Sequence, residues 1–221
     1  CVMHLEDYQE ENLTEVFDQW ILSKLQKLIR ECTSSFEGYE YSKTKAEVEK
    51  FFWHLFCDQY LEIVKDRLYN GSIRGMDSRR SAQQGLYVTL LSLLKMIAPI
   101  MPHITEEIYQ LYFAQREGGK SVHISSWPAY NPKLVNESAE LAGDVGVDII
   151  NTVRKFKSER KMSLKEELAE MVLVSEEKEF KEMIQSITKD LCFVLNAKKI
   201  SFEGKTDLET QVFKVKVGIQ K

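Results

Sequence analysis

The sequence predicts a mainly α protein, an antiparallel helical bundle followed by a small α+β domain. Three observations carry this. Between residues 13 and 112, apolar side chains recur every three or four positions in four successive stretches, the spacing of buried helix faces. Glycines and prolines separate those stretches by short connections, as antiparallel neighbours require. Beyond residue 165 the apolar period drops from about 3.6 to about 2, the pleat of a strand. A length of 221 residues suits one large domain or two small ones. We place a boundary near residue 135, which divides the chain into a bundle with its strap, 1–135, and a smaller unit, 136–221.

The first helix runs from Leu13 and carries Phe17, Trp20, Ile21, Leu25, Leu28, Ile29, Cys32 and Phe36 on one face; Gly38 ends it. A second, from Ser42 as N-cap to Tyr69, has apolar residues around most of its circumference, from Val48 and Phe51-Phe52-Trp53 through Phe56 and Tyr60 to Leu68. It is expected to be the central, most buried helix. After the Asn70-Gly71-Ser72 break, a third helix from about Ser78 holds Leu86, Leu90, Leu91, Leu93, Leu94 and Ile97 until Pro99 stops it. Pro102 opens a shorter fourth helix through Ile104, Ile108, Leu111 and Tyr112, with Glu106 and Glu107 expected in its first turn, where the helix dipole favours acids. Gly118-Gly119, Trp127, Pro128 and Pro132 then make an extended strap. The second unit begins with a helix on Leu141, Val145, Ile149, Val153 and Phe156. Met171–Val174 is a short buried strand and Phe180–Leu195 a helix. Ile200/Phe202 and Phe213/Val215/Val217/Ile219 alternate as strands.

Composition excludes more chemistry than it suggests. With 43% hydrophobic and 29% charged residues, and no apolar run of about 18, the chain is neither disordered nor membrane-spanning. It opens Cys1-Val2-Met3 with no secretory or transit pattern, and reads as a piece excised from a longer protein. The cysteines Cys1, Cys32, Cys57 and Cys192 form no C-x-x-C pair, and His4, His54, His103 and His123 are never spaced H-x-x-x-H, so no metal site and no disulfide framework is expected. A reducing cytoplasm fits. P-loop, dinucleotide-binding and nucleophile-elbow motifs are absent, and no catalytic residue is assigned. Asp58 and Glu62, four apart on the second helix, are a carboxylate pair of the kind that does acid–base work, but on so apolar a helix they are expected to accept hydrogen bonds and hold the bundle in register.

Net charge is −4, yet Arg154, Lys155, Lys157, Arg160, Lys161 and Lys165 face only Glu159 within 154–165, a cluster suited to phosphates. Arg154, Lys157 and Lys161 fall partly on one helix side, and at least two of them are expected to reach solvent. Two further basic groups stand out: Lys24, Lys27 and Arg30 along the first helix, and Arg74, Arg79 and Arg80 at the turn into the third.

Four motifs, in order, carry a family resemblance. Asp18-Gln19-Trp20-Ile21-Leu22-Ser23-Lys24-Leu25 resembles the D-x-W-[IL]-L-S-x-L entry to the anticodon-binding bundle of class I aminoacyl-tRNA synthetases for valine, isoleucine and leucine. Trp53-His54-Leu55-Phe56-Cys57-Asp58-Gln59-Tyr60-Leu61-Glu62-Ile63-Val64-Lys65 resembles their W-x-x-F-C-D-x-Y-[IL]-E-x-x-K helix. Pro99 to Tyr109 is similar to their P-x-[ML]-P-[FH]-[IL]-[TS]-E-E-[IL]-[WY] turn, and Trp127-Pro128 to the closing strap. The C-D-x-Y-x-E-x-x-K helix, the Val153–Leu164 segment and the absence of a cysteine-rich end all resemble valyl-tRNA synthetases of archaeal type. Lys161-Met162-Ser163-Leu164-Lys165 looks like a KMSKS adenylate loop, but it departs at Leu164 and Lys165 and no H-I-G-H partner exists, so we read it as a decoy.

The resemblance implies a non-catalytic, monomeric, tRNA-binding fragment of a valine-specific ligase, with no cofactor of its own and with ATP and magnesium confined to a missing catalytic domain. It also implies an aromatic residue where Cys1 stands. The same region of an isoleucyl or leucyl enzyme, or a helical protein-interaction module without RNA binding, is the alternative. The residues expected to meet tRNA are the three basic groups: Lys24, Lys27 and Arg30; Arg74, Arg79 and Arg80; and Arg154, Lys157, Arg160 and Lys161. An anticodon loop is splayed single-stranded RNA, read by stacking and base-edge hydrogen bonds from a rigid platform with a basic rim, and a bundle supplies that rigidity.

Overall fold

Helix α1 (Val16–Glu37) buries Phe17, Trp20, Ile21, Leu25, Leu28, Ile29 and Cys32 along one face, and ends where Gly38 donates back to the Ser34 carbonyl at 3.0 Å. The computed structural model to which it belongs describes residues 2–175 and 177–220, so the Cys1 position lies outside the described residues. The second helix, α2, is continuous but not uniform. It is α-helical over Tyr41–Lys50, π-helical over Phe51–Tyr60 and α-helical again over Leu61–Tyr69. Hydrogen bonding at i→i+5 changes which residues share a face. Phe51, Phe56 and Tyr60 point into the core, whereas Trp53 is 59% exposed and Phe52 only half-buried. The expected burial around most of the circumference is therefore corrected: the π-helical stretch turns Trp53 outward.

A short helical turn, Gly71–Arg74, leads to α3 (Met76–Ile97), whose Ala82, Leu86, Leu93 and Leu94 complete the bundle interior. Pro102 occupies the first turn of α4 (Pro102–Tyr112) as expected. Glu106, however, lies beyond that first turn. It accepts from Gln110 Nε2 (2.6 Å), Ser121 Oγ (2.8 Å) and Val122 N (2.9 Å), and so buckles the strap onto α4. The strap then runs along α1 through Trp127 Nε1 to Thr33 Oγ1 (2.9 Å), Asn131 N to Gln26 Oε1 (2.8 Å) and Asn136 N to Ser23 Oγ (2.9 Å). Backbone amides of a proline-broken segment need such partners, because they have no ladder.

Asn136 also caps α5 (Glu137–Glu159) by accepting from Ala139 N at 3.0 Å. Helix α5 packs lengthwise on α1. Its Gly143 and Gly146 permit this: a Cβ on Gly143 would stand 2.3 Å from the Trp20 ring, and one on Gly146 2.7 Å from Phe17 Cζ. After β1 (Glu170–Val174), α6 (Lys178–Leu195) covers a four-stranded sheet completed by β2 (Ile200–Ser201), β3 (Leu208–Glu209) and β4 (Lys216–Gln220), in the order β2-β1-β4-β3. β1 pairs parallel with β2 and antiparallel with β4, with Leu173 opposite Val217. The last strand starts later than the Phe213–Ile219 alternation suggests, because Lys214 takes a left-handed backbone (φ 55°) and closes a turn in which Thr210 N donates to Val215 O. Apolar packing is continuous from the bundle into this unit, across residue 135, since α5 lies between α1 and α6.

One buried polar cluster fastens these layers. Asp18, fully buried on α1, accepts two hydrogen bonds from Arg67 (2.6 and 2.9 Å), one from Tyr60 Oη (2.7 Å) and one from Ser81 Oγ (2.6 Å). Arg67 is itself fully buried, and its Nε lies 3.5 Å from Asp190 of α6. Burial opposes the charge on Arg67, but Asp18 and Asp190 outweigh it and hold its pKa above the ordinary value. Asp18 and Asp190 are thus the register-holding carboxylates. Asp58 and Glu62, expected in that role, are exposed and half-buried respectively, and among the described residues their carboxylates pair only along their own helix, with His54 and Lys65.

Candidate nucleic-acid interface

The three predicted basic groups meet different fates. On α1, Lys24 pairs with Asp144 (2.7 Å) and approaches Glu140 (3.7 Å), and Lys27 is bonded to Glu140. Burial works to raise the pKa of Glu140, but hydrogen bonds from Lys27 and Ser23 prevail and leave it below the usual range. Helix α5 supplies both acids, at the i, i+4 spacing that places them on one face. Arg30 is exposed, with its guanidinium 5.8 Å from the Tyr130 ring centre.

At the turn into α3, Arg74 bridges Asp66 (2.5 Å) and Asp190 (2.6 Å). Burial holds the Asp190 carboxyl above the usual carboxylate range, against the pull of Arg67 and Arg74. Arg79 makes a two-pronged contact with Asp7 (2.5 and 3.0 Å), which brings the Asp7 pKa down to about 2, and Arg80 pairs with Glu11 at 3.1 Å. These two arginines tie the 7–11 segment to α3.

The third group is different. Arg154 donates to the Asp58 carbonyl (3.2 Å), Arg160 stacks 4.5 Å over the Phe156 ring, and Lys155, Lys161 and Lys165 point to solvent. None of the five has a carboxylate partner among the described residues. Two of the trio Arg154, Lys157 and Lys161 reach solvent, as expected, but Lys157 departs from a phosphate-facing role. It is 1% exposed, and its ammonium donates to three backbone carbonyls: Glu166 (2.7 Å), Leu195 (2.9 Å) and Leu164 (3.1 Å). Burial lowers its pKa. The residue pins the end of α5 to the end of α6.

Replacing Lys157 by Met would leave three carbonyls without that donor. Stability should fall by about 1–3 kcal/mol in urea unfolding, and an unchanged midpoint would show that the ammonium is dispensable.

The KMSKS look-alike is the turn leaving α5. Lys161 takes a left-handed backbone (φ 55°), Met162 N bonds the Lys157 carbonyl at 2.8 Å, and Glu166 N bonds the Ser163 carbonyl at 2.9 Å. The amides of Lys161, Met162 and Lys165 are thus taken up within the turn, by the Ser158 and Lys157 carbonyls and Ser163 Oγ.

Among the described residues, no group of three or more His, Cys, Asp or Glu is placed to hold a metal, and no helix is long and apolar enough to cross a membrane. Charge counting missed which cations are neutralised. The signal was present in α5, where Glu137, Glu140, Asp144 and Asp148 all precede Arg154, Lys155 and Lys157, so that the first half carries the acids that meet Lys24 and Lys27 while only Glu159 accompanies the cations of the second.

Comparison with known proteins agrees with this architecture. Residues 18–173 match the family described as the anticodon-binding domain of tRNA ligase. Valine–tRNA ligase of Thermococcus kodakarensis is 33% identical over 217 residues, which cover 96% of this chain and 24% of that protein. That of Ehrlichia canis is 38% identical over 207 residues, or 92% of this chain and 25% of the relative. The Methanothermobacter thermautotrophicus enzyme is 36% identical over 205 residues, or 92% and 22%. The chain spans about a quarter of the length of the curated relatives it matches. With the family match covering the four bundle helices, the strap, α5 and the first strand, the chain belongs to the anticodon-binding domains of tRNA ligases.

Proposed function

We propose that the chain is the tRNA-binding, anticodon-recognising part of a valine–tRNA ligase, acting in the cytoplasm as a monomer and without a cofactor of its own. In this reading the joining of valine to tRNA, with its ATP and magnesium, belongs to other parts of the ligase. The observation that carries the reading is the bare basic cluster at the end of α5: five cations without a carboxylate partner among the described residues, in a chain of net charge −4 in which Lys24, Lys27, Arg74, Arg79 and Arg80 of the other two groups are paired internally. Phosphates meet such a cluster at little cost, because no internal ion pair has to break.

The 221-residue chain should bind valine tRNA more tightly than isoleucine tRNA. Replacing Arg154, Arg160 and Lys161 by Gln should weaken both and flatten the slope of log K against log salt by up to about 2, with little change in discrimination. Equal binding of the two tRNAs would remove the valine assignment, and an unchanged slope would remove the cluster from the interface. One observation favours the second reading, a protein-interaction module. An apolar cleft of about 290 Å³ opens between α2, α3 and α4, lined by Val48, Phe52, Trp53, Leu94, Ile97 and Ile104. Salt-insensitive binding of a protein in place of tRNA would support it.

A further inference from the structure

The turn after α5 and the end of α6 converge on a second cleft. Asn196 closes α6 in a left-handed conformation (φ 51°), and its Nδ2 donates to the Lys165 carbonyl at 2.7 Å. Beside it a cleft of about 460 Å³ opens between the end of α2 and α6, with Asp66 and Arg74 on one wall and Lys189, Phe193 and Lys198 on the other. It is shallow and open to solvent. Arg74 makes its wall rigid, being held between Asp66 and Asp190. Phe193 is 43% exposed on a helix whose Ile184, Ile187, Leu191 and Leu195 are buried, so its ring is only partly taken up by packing the unit. Lys189 is exposed and has no carboxylate partner among the described residues, whereas Lys198 is paired with Glu167 at 2.7 Å.

We infer that this cleft takes one unpaired nucleotide of an RNA strand, its base stacked on the Phe193 ring and its phosphate met by Lys189, with the neighbouring phosphates running over Lys165, Lys161 and Arg160. The inference rests on the tRNA-binding reading and deepens it. An exposed ring inside a cleft, next to a bare basic rim, is the arrangement by which single-stranded nucleic acids are held. Every base offers a π face, and the cations follow the backbone. A helical peptide would need a stripe of apolar contacts; here a single ring is on offer, flanked by charges.

The test uses the 221-residue chain with Phe193→Leu and Phe193→Trp, titrated with a valine tRNA transcript and with a short unpaired RNA carrying one 2-aminopurine. Phe193→Leu keeps apolar bulk and removes the π face. It should weaken the short RNA roughly 5- to 150-fold and abolish quenching of the aminopurine, while leaving the salt slope and the unfolding midpoint unchanged; Phe193→Trp should restore both binding and quenching. Wild-type affinity in Phe193→Leu would overturn the cleft. If tRNA binding still depended on Arg154, Arg160 and Lys161, the tRNA-binding reading would stand without it. Failure of the unaltered chain to bind either RNA would remove both. Tighter, Phe193-dependent binding of poly-glutamate than of RNA would assign the cleft to an acidic protein segment and overturn the inference as well.

Discussion

Replacing Asp18 by Ala should destabilise the protein by about 3–5 kcal/mol, the largest effect expected of any single change at a polar residue. The magnitude follows from what is left behind. Arg67 is fully buried and loses both of its short hydrogen bonds, keeping only Asp190 at 3.5 Å and the Ser78 carbonyl at 3.4 Å. Tyr60 Oη is left with only a long contact to the Ala82 carbonyl (3.5 Å), and burial already holds its pKa well above the ordinary value. Uncompensated charge in an interior costs far more than an exposed pair contributes. Urea unfolding measures the effect directly. A loss below about 1 kcal/mol would mean that water reaches Arg67. Asp58→Ala serves as the contrast, since that carboxylate is exposed and, among the described residues, pairs only with exposed His54; it should stay within about 0.5 kcal/mol of the unaltered chain.

Replacing Phe56 by Ala should cost a similar amount, about 3–5 kcal/mol, for a different reason. Phe56 is 1% exposed in the π-helical stretch of α2, with its ring 6.1 Å from those of Phe52 and Tyr60. Truncation opens a cavity among residues already fixed by the Asp18 cluster, so little collapse can fill it. Trp53→Ala, three residues away, removes a larger side chain but an exposed one, and should change the unfolding midpoint little. Equal losses at the two positions would show that the stretch is not π-helical, because regular i→i+4 bonding would turn it to a different face.

Helix existence was legible in α1, where a clean three-to-four spacing survives in the burial of Phe17, Trp20, Ile21, Leu25 and Leu28. Local chemistry also placed the breaks at Gly38, Pro99 and Pro102, because these act through a residue's own backbone. The family was legible too: the motifs at Asp18, Trp53, Pro99 and Trp127 lie within a match covering residues 18–173. The two ends of the last strand were less so. Ile219 lies within β4, but a left-handed Lys214 is a property of the turn around it, not of an alternating pattern.

The candidate interface shows the division most clearly. Six cations between 154 and 165 could be counted from the chain alone, and so could the acids that precede them on α5. Counting could not say that Lys24 and Lys27 meet Glu140 and Asp144, that Arg74 is held by Asp190, or that Lys157 turns inward to three carbonyls. Periodicity and turn chemistry act over a few residues, so they are written locally. Which charges remain free depends on partners more than a hundred positions away in Lys24, Lys27 and Arg74, and those meet only once α5 and α6 have packed against the bundle.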